Sequence, residues 1–184
     1  EDYKVDQILA LDILSNGDSS TNSTIKVKIR KLYTRTLSCV MLVDIIHQPS
    51  SGGLPQTAVL KLYGRHFTVD YRENRRLEPW GQILEEEYIE FAKTGQFQEF
   101  IHKIHQREGG EDDMYEPQDE DEWWDDGACE AALADELNAD FNKETAMYDV
   151  MRDVQGVFIP KIFAHVEMDI SPPGITPVLF FSVA

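Results

Sequence analysis

Apolar and polar positions alternate along "TIKVKIRKLYT", with Ile25, Val27 and Ile29 on one parity and Lys26, Lys28 and Arg30 on the other. A period of two sends successive side chains to opposite faces, so this stretch predicts a strand with one buried and one wetted side. "SCVMLVDIIH" follows as an unbroken apolar run and predicts a second, more deeply buried strand. Turn-forming residues in "QPSSGGLPQ" then lead into a third, "TAVLKLYGRHF". There Ala58, Leu60 and Leu62 occupy one face, and Val59, Lys61 and Tyr63 the other. Short connections between the three favour an antiparallel meander.

From Pro79 the period lengthens. "WGQILEEEYIEFAKTGQFQEFIHKIHQ" spaces its apolar residues at helical intervals and predicts two short helices broken near Thr94 and Gly95. An acidic tract, "EGGEDDMYEPQDEDEWWDDG", comes next and reads as a solvated insertion. Helical spacing resumes in "DELNADFNKETAMYDVMRDVQG", where Asn138 or Asp140 can cap the helix, Gly156 can end it and Pro160 prevents its continuation. "VFIPKIFAHVEM" and "ITPVLFFSVA" read as two further strands around the turn-like "DISPPG".

With 34 acidic and 17 basic residues among 184, the chain carries a formal charge of −17 and repels phosphate backbones and anionic membrane surfaces. Nucleic acid and membrane are therefore set aside as partners, and no apolar run approaches the ~20 residues of a membrane span. The length suits one domain with a proper core. Cys39 and Cys129 lack metal-type spacing and read first as free thiols of a reducing compartment, with one disulfide between them as the alternative. That points to the cytoplasm, although the sequon at Asn22 and the start at Glu1, without Met, leave secretion open. His102 and His105 could lie one helical turn apart, but no third metal ligand has matching spacing. A calcium loop counted from Asp119 would put Trp123 and Trp124 where an oxygen ligand and a glycine belong, so that reading fails. No metal site is expected.

Lys61 interrupts an apolar strand, and the simplest account is an edge-strand lysine with its stem along apolar surface and its ammonium in water. A second account begins in the late helix. Glu144, Met147, Tyr148 and Met151 follow the spacing of one helical face, so the carboxylate lies in or beside an apolar stripe expected to pack inward. A buried carboxylate without a partner is costly. Lys61 is the matching cation, and the two are expected to meet, as a structural ion pair or as part of a ligand site.

The order of strand, strand, strand with Lys61, helical insertion, helix with Glu144, strand, strand resembles the N-terminal lobe of the protein-kinase-like superfamily. The likeness rests on "VLKLYGRHFTVDYR" and "ETAMYDVMRDVQGVFIPKIFAHV", and it is closest to the aminoglycoside-phosphotransferase-like and fungal protein-kinase-like branch. It covers residues 25 to 184, leaving 1 to 24 as an N-terminal segment. The resemblance implies an α+β fold: a five-stranded antiparallel kinase-like N-lobe sheet, a packed long helix, and a helical and acidic insertion over about 79–130. It also implies that Lys61 contacts the α- and β-phosphates of ATP, that Glu144 holds Lys61 in place, and that Val59 roofs the adenine. ATP with magnesium, bound weakly, is the implied cofactor.

The departures shape the functional expectation. Where a kinase carries a glycine-rich loop, this chain reads "KLYTRTLSCV", which has no glycine for close backbone approach to phosphate. No H-R-D-like catalytic loop and no D-F-G-like magnesium site occur in the sequence, so no catalytic residue is assigned. The expectation is a catalytically incomplete N-lobe, a fragment or pseudokinase, that binds a protein partner through its exposed underside or its acidic insertion. The alternative is the N-terminal part of an ATP-dependent phosphotransferase whose catalytic lobe lies outside this chain. A third option is an acidic adaptor for basic proteins, with Trp123 and Trp124 as aromatic anchors.

Overall fold

In the computed structural model, residues 3–13, 23–35, 38–49, 53–107, 124–168 and 180–183 are described. The alternating run around Ile25 forms β2 (Ser23–Arg35), the apolar run after it β3 (Cys39–His47), and the lysine-bearing stretch β4 (Thr57–Tyr63). The parity behaves as read: Ile25, Val27, Ile29, Met41, Val43 and Leu60 are all fully buried. β3 pairs antiparallel with both neighbours, and register shifts between Ile29 and Lys31 and between Leu32 and Arg35 bend the β2–β3 ribbon.

Two late strands, β5 (Ala164–Glu167) and β6 (Phe180–Val183), complete the five expected ones, all antiparallel. The fold is thus α+β, with a curled antiparallel sheet. A sixth strand lies in the N-terminal segment that the sequence reading left unassigned. β1 (Ile8–Ile13) pairs along β2 and, through Asp12 with Glu167 and Ile13 with Val166, reaches β5. The sheet order β1-β2-β3-β4-β6-β5 therefore closes into a barrel. Leu9 and Leu11 of β1 point into the same core as Leu60 and Val166.

β5 is shorter than expected, because the chain turns first. Gly156 adopts φ +76°, its N–H donates to the Ile159 carbonyl at 2.7 Å, and Pro160 has no N–H to offer a strand partner. Strand geometry starts only at Ala164.

Outside the barrel, α1 (Val69–Asn74) follows a short 3₁₀ turn at Arg65–Phe67. α2 (Gln82–Lys93) and α3 (Gln96–His105) are separated by Gly95, whose φ of +76° breaks the helix at the expected place. The long helix α4 (Asp126–Val150) starts well before the predicted caps: Asn138 and Asp140 lie in its interior, and the Asp125 side chain accepts from the Ala128 N–H at 2.8 Å. The run "ACEAALADEL", rich in strong helix formers, carries the helix upstream and draws residues 126–130 out of the expected insertion.

The N-terminal half of α4 is its buried half, with Ala131, Ala134 and Leu137 against α2 and the rest of the fold. Gly127 allows a close approach, since a Cβ there would stand 2.8 Å from Phe91 Cβ. Residues 108–123, which include most of the acidic tract and Trp123, lie outside the described residues. Trp124 is described and partly buried: its ring packs edge-on against Phe100, centroids 5.0 Å apart, in a cluster with Ile101 and Ile104.

Candidate functional site

Strand parity turns Lys61 away from the barrel core, toward the face that α4 crosses, while Ala58, Leu60 and Leu62 fill the interior. Lys61 donates to Glu144 Oε2, and the Tyr63 hydroxyl donates to the same carboxylate oxygen. The expected strand-to-helix ion pair is present. Its side chains remain 31% and 29% exposed, so the pair is sheltered without being sealed from water. The ammonium also stands 4.7 Å from the centroid of the Tyr63 ring, within cation–π range.

Burial, and after it the hydrogen bond to Glu144, raises the Tyr63 phenol far above its ordinary pKa. Tyr63 thus acts as a neutral donor. Burial and the same carboxylate raise Tyr148. One turn back along α4, Asp140 accepts from Tyr71 at 2.5 Å, and Tyr71 is raised first by burial and then by that bond.

A cavity of about 460 Å³ opens beside the pair. Lys61 and Lys143, the acids Asp140 and Glu144, and Tyr63, Tyr148 and Ser38 supply its polar side, while Met147, Met151, Ile159 and Pro160 supply an apolar wall. This corrects one expectation: the stripe through Met147 and Met151 does not pack into the core. Met147 is 60% exposed, and the stripe lines the cavity instead. The physical reason is the alanine-rich half of α4, which presents a flatter surface and lets α2 and α3 approach there. Val59 shares the outer face with Lys61, sits opposite Leu42 of β3 and is half-buried, but it is not among the residues lining the cavity.

The arrangement offers an anionic group one fixed ammonium next to apolar surface. For a metal, no group of three or more His, Cys, Asp or Glu side chains gathers among the described residues. His105 faces Asp135 at 2.6 Å, and His102 faces Gln106 at 2.7 Å. Cys39 and Cys129 are not joined in a disulfide, and burial, with Asp126 next, pushes the Cys129 thiol up to about 11.

Sequence reasoning missed a second polar cluster, which anchors the other half of α4. Buried Glu130 accepts from Arg65 at 2.8 Å and from both Nη atoms of Arg72 at 2.7 and 2.8 Å. Arg65 also reaches Glu85 at 2.7 Å and lies 3.7 Å above the Tyr88 ring. Arg75 forks onto Glu136. From Lys61 to Arg75, donors on β4, the 3₁₀ turn and α1 face acids spaced along α4. A signal was available: Arg65 and Arg72 fall inside "VLKLYGRHFTVDYR", and Glu130 stands among alanines that cannot shield a charge by themselves. No family model, curated protein or solved structure matches the chain.

Proposed function

We propose that this chain is a kinase-like N-terminal lobe that works as a protein-binding module, without catalysis of its own. The observation that carries the reading is the contact between Lys61 of β4 and Glu144 of α4, two residues 83 apart that the resemblance pairs across a strand and a helix. An ammonium so held is a prepared anion contact. Apolar surface beside it supports a docking role: Val150, Val157 and Phe158 are 88%, 73% and 82% exposed, in the same segment as the cavity-lining Met147, Met151 and Ile159. A photo-crosslinking residue at position 158 should give a discrete protein adduct in the source cells, lost when Val150 and Val157 are changed to Asp. An adduct indifferent to those charges, or none, would defeat the reading.

A second reading has its own support. The cavity falls in the range of roughly 300–1,000 Å³ common to small-molecule sites. On this reading the chain is the N-terminal part of an ATP-dependent phosphotransferase, with Lys61 on the phosphates and the catalytic lobe outside these residues. Titration with ATP and magnesium should then give weak binding that Lys61→Ala abolishes. Equal responses from both proteins would remove nucleotide from consideration.

A further inference from the structure

We propose that Tyr63 is a positioning residue that limits how tightly Glu144 holds the Lys61 ammonium. The purpose of that limit, a lysine able to turn toward an anion in the cavity, rests on the ligand reading above.

An ammonium has three N–H donors, and a carboxylate fully committed to it competes with any incoming anion. Here the carboxylate is shared, because Lys61 and the Tyr63 hydroxyl both donate to Oε2 of Glu144. A phenol donor draws off part of the carboxylate's charge without adding a competing cation. The ring plays a second part: lying 4.7 Å from Nζ, it gives the ammonium an uncharged seat on one side. Tyr63 can hold this pose because it is only 6% exposed and its ring packs edge-on against Phe141 of α4, centroids 5.7 Å apart at 73°. One residue thus touches both members of the pair and the helix that carries the acid. It also means that α4 keeps a bond to β4 when the lysine turns away.

The test is competitive acylation of lysines in the intact chain at one fixed, mildly alkaline pH, read by mass spectrometry with exposed Lys103 as the internal reference. Tyr63→Phe keeps the ring and deletes the hydroxyl, leaving Glu144 to Lys61 alone, so Lys61 should label about threefold more slowly. Replacing Tyr63 by a ring-fluorinated tyrosine, a stronger donor that preserves size and hydroxyl, should make Lys61 label faster and serves if the phenylalanine variant does not fold. In a Glu144→Gln background the effect of the hydroxyl should vanish: Tyr63→Phe, which keeps the ring, should leave Lys61 labelling unchanged, and the fluorinated residue should keep only the smaller effect of its weakened ring. Unaltered labelling in both Tyr63 variants, or shifts of undiminished size with Glu144→Gln, overturns the proposal. Failure of the wild type to bind ATP with magnesium, with the labelling shifts intact, refutes the nucleotide reading and leaves the role of Tyr63 standing.

Discussion

Glu130→Ala removes the shared acceptor of Arg65 and Arg72 at a point where water cannot take its place. Three charge-assisted hydrogen bonds of 2.7–2.8 Å are lost, and the arginine side chains left behind are only 9% and 5% exposed. Stranding one side of a buried ion pair costs about 3–5 kcal/mol. Partial compensation is visible here. Arg65 retains Glu85 and the Tyr88 ring, and Arg72 retains the Glu78 carbonyl at 3.0 Å. The loss should therefore fall at the lower end, about 3 kcal/mol, a large share of the ~5–15 kcal/mol typical of a domain. Urea unfolding followed by far-ultraviolet circular dichroism would show it as a lower midpoint at unchanged slope. A companion variant with Arg65, Arg72 and Glu130 all replaced by apolar residues of similar volume should recover most of the loss, since the penalty is desolvation of unpaired charge. A drop below about 1 kcal/mol for Glu130→Ala would refute the reasoning that this cluster is both buried and interdependent.

Glu144→Ala should cost less, about 1–2 kcal/mol, because Lys61 is 31% exposed and water can reach the ammonium once its partner is gone. A loss near that of Glu130→Ala in the same urea assay would show that the site is closed. Gly127→Ala should destabilise by about 1 kcal/mol: the new Cβ would meet Phe91 Cβ at 2.8 Å and the Glu87 carbonyl at 3.0 Å, an overpacking cost larger than the helix-propensity gain. A raised melting temperature would refute the close α2–α4 approach. Alkaline pH should weaken the fold, since Tyr3, Tyr63 and Tyr71 all have phenols held above their ordinary value, chiefly by burial. Their folded pKa values exceed the unfolded ones, so the stability they contribute is complete below about pH 10 and is lost as pH rises beyond it. Denaturation curves across that range should steepen their pH dependence, and Tyr63→Phe should flatten it in part.

The Lys61–Glu144 contact was legible because two independent periods pointed to it, a charge on a strand's parity and an acid on a helix's face. The same logic misjudged the depth of the site. Met147 and Met151 carry a strong apolar signal, while alanines carry a weak one. Yet Ala131 and Ala134 are buried and Met147 is mostly exposed, because small side chains let helices come close and large ones need a space to fill. β1 escaped notice for a related reason: "ILALDI" is a short apolar run whose period does not distinguish strand from helix, and its role depends on a partner strand more than a hundred and fifty residues away. The arginine cluster lay beyond any local period, since its members come from the 3₁₀ turn, α1, α2 and α4 and meet only when the helices pack.

Joining the chain's first strand to its late hairpin has a consequence for handling the protein. An unpaired strand offers a row of free N–H and C=O groups on which a neighbouring molecule can grow its own sheet. Shortening the chain past Ile13 would uncover β2 along one rim and β5 along the other, two adhesive margins on a single molecule. Such a species could pass strand pairing from one copy to the next, so the opening residues protect solubility even though they touch nothing in the cavity.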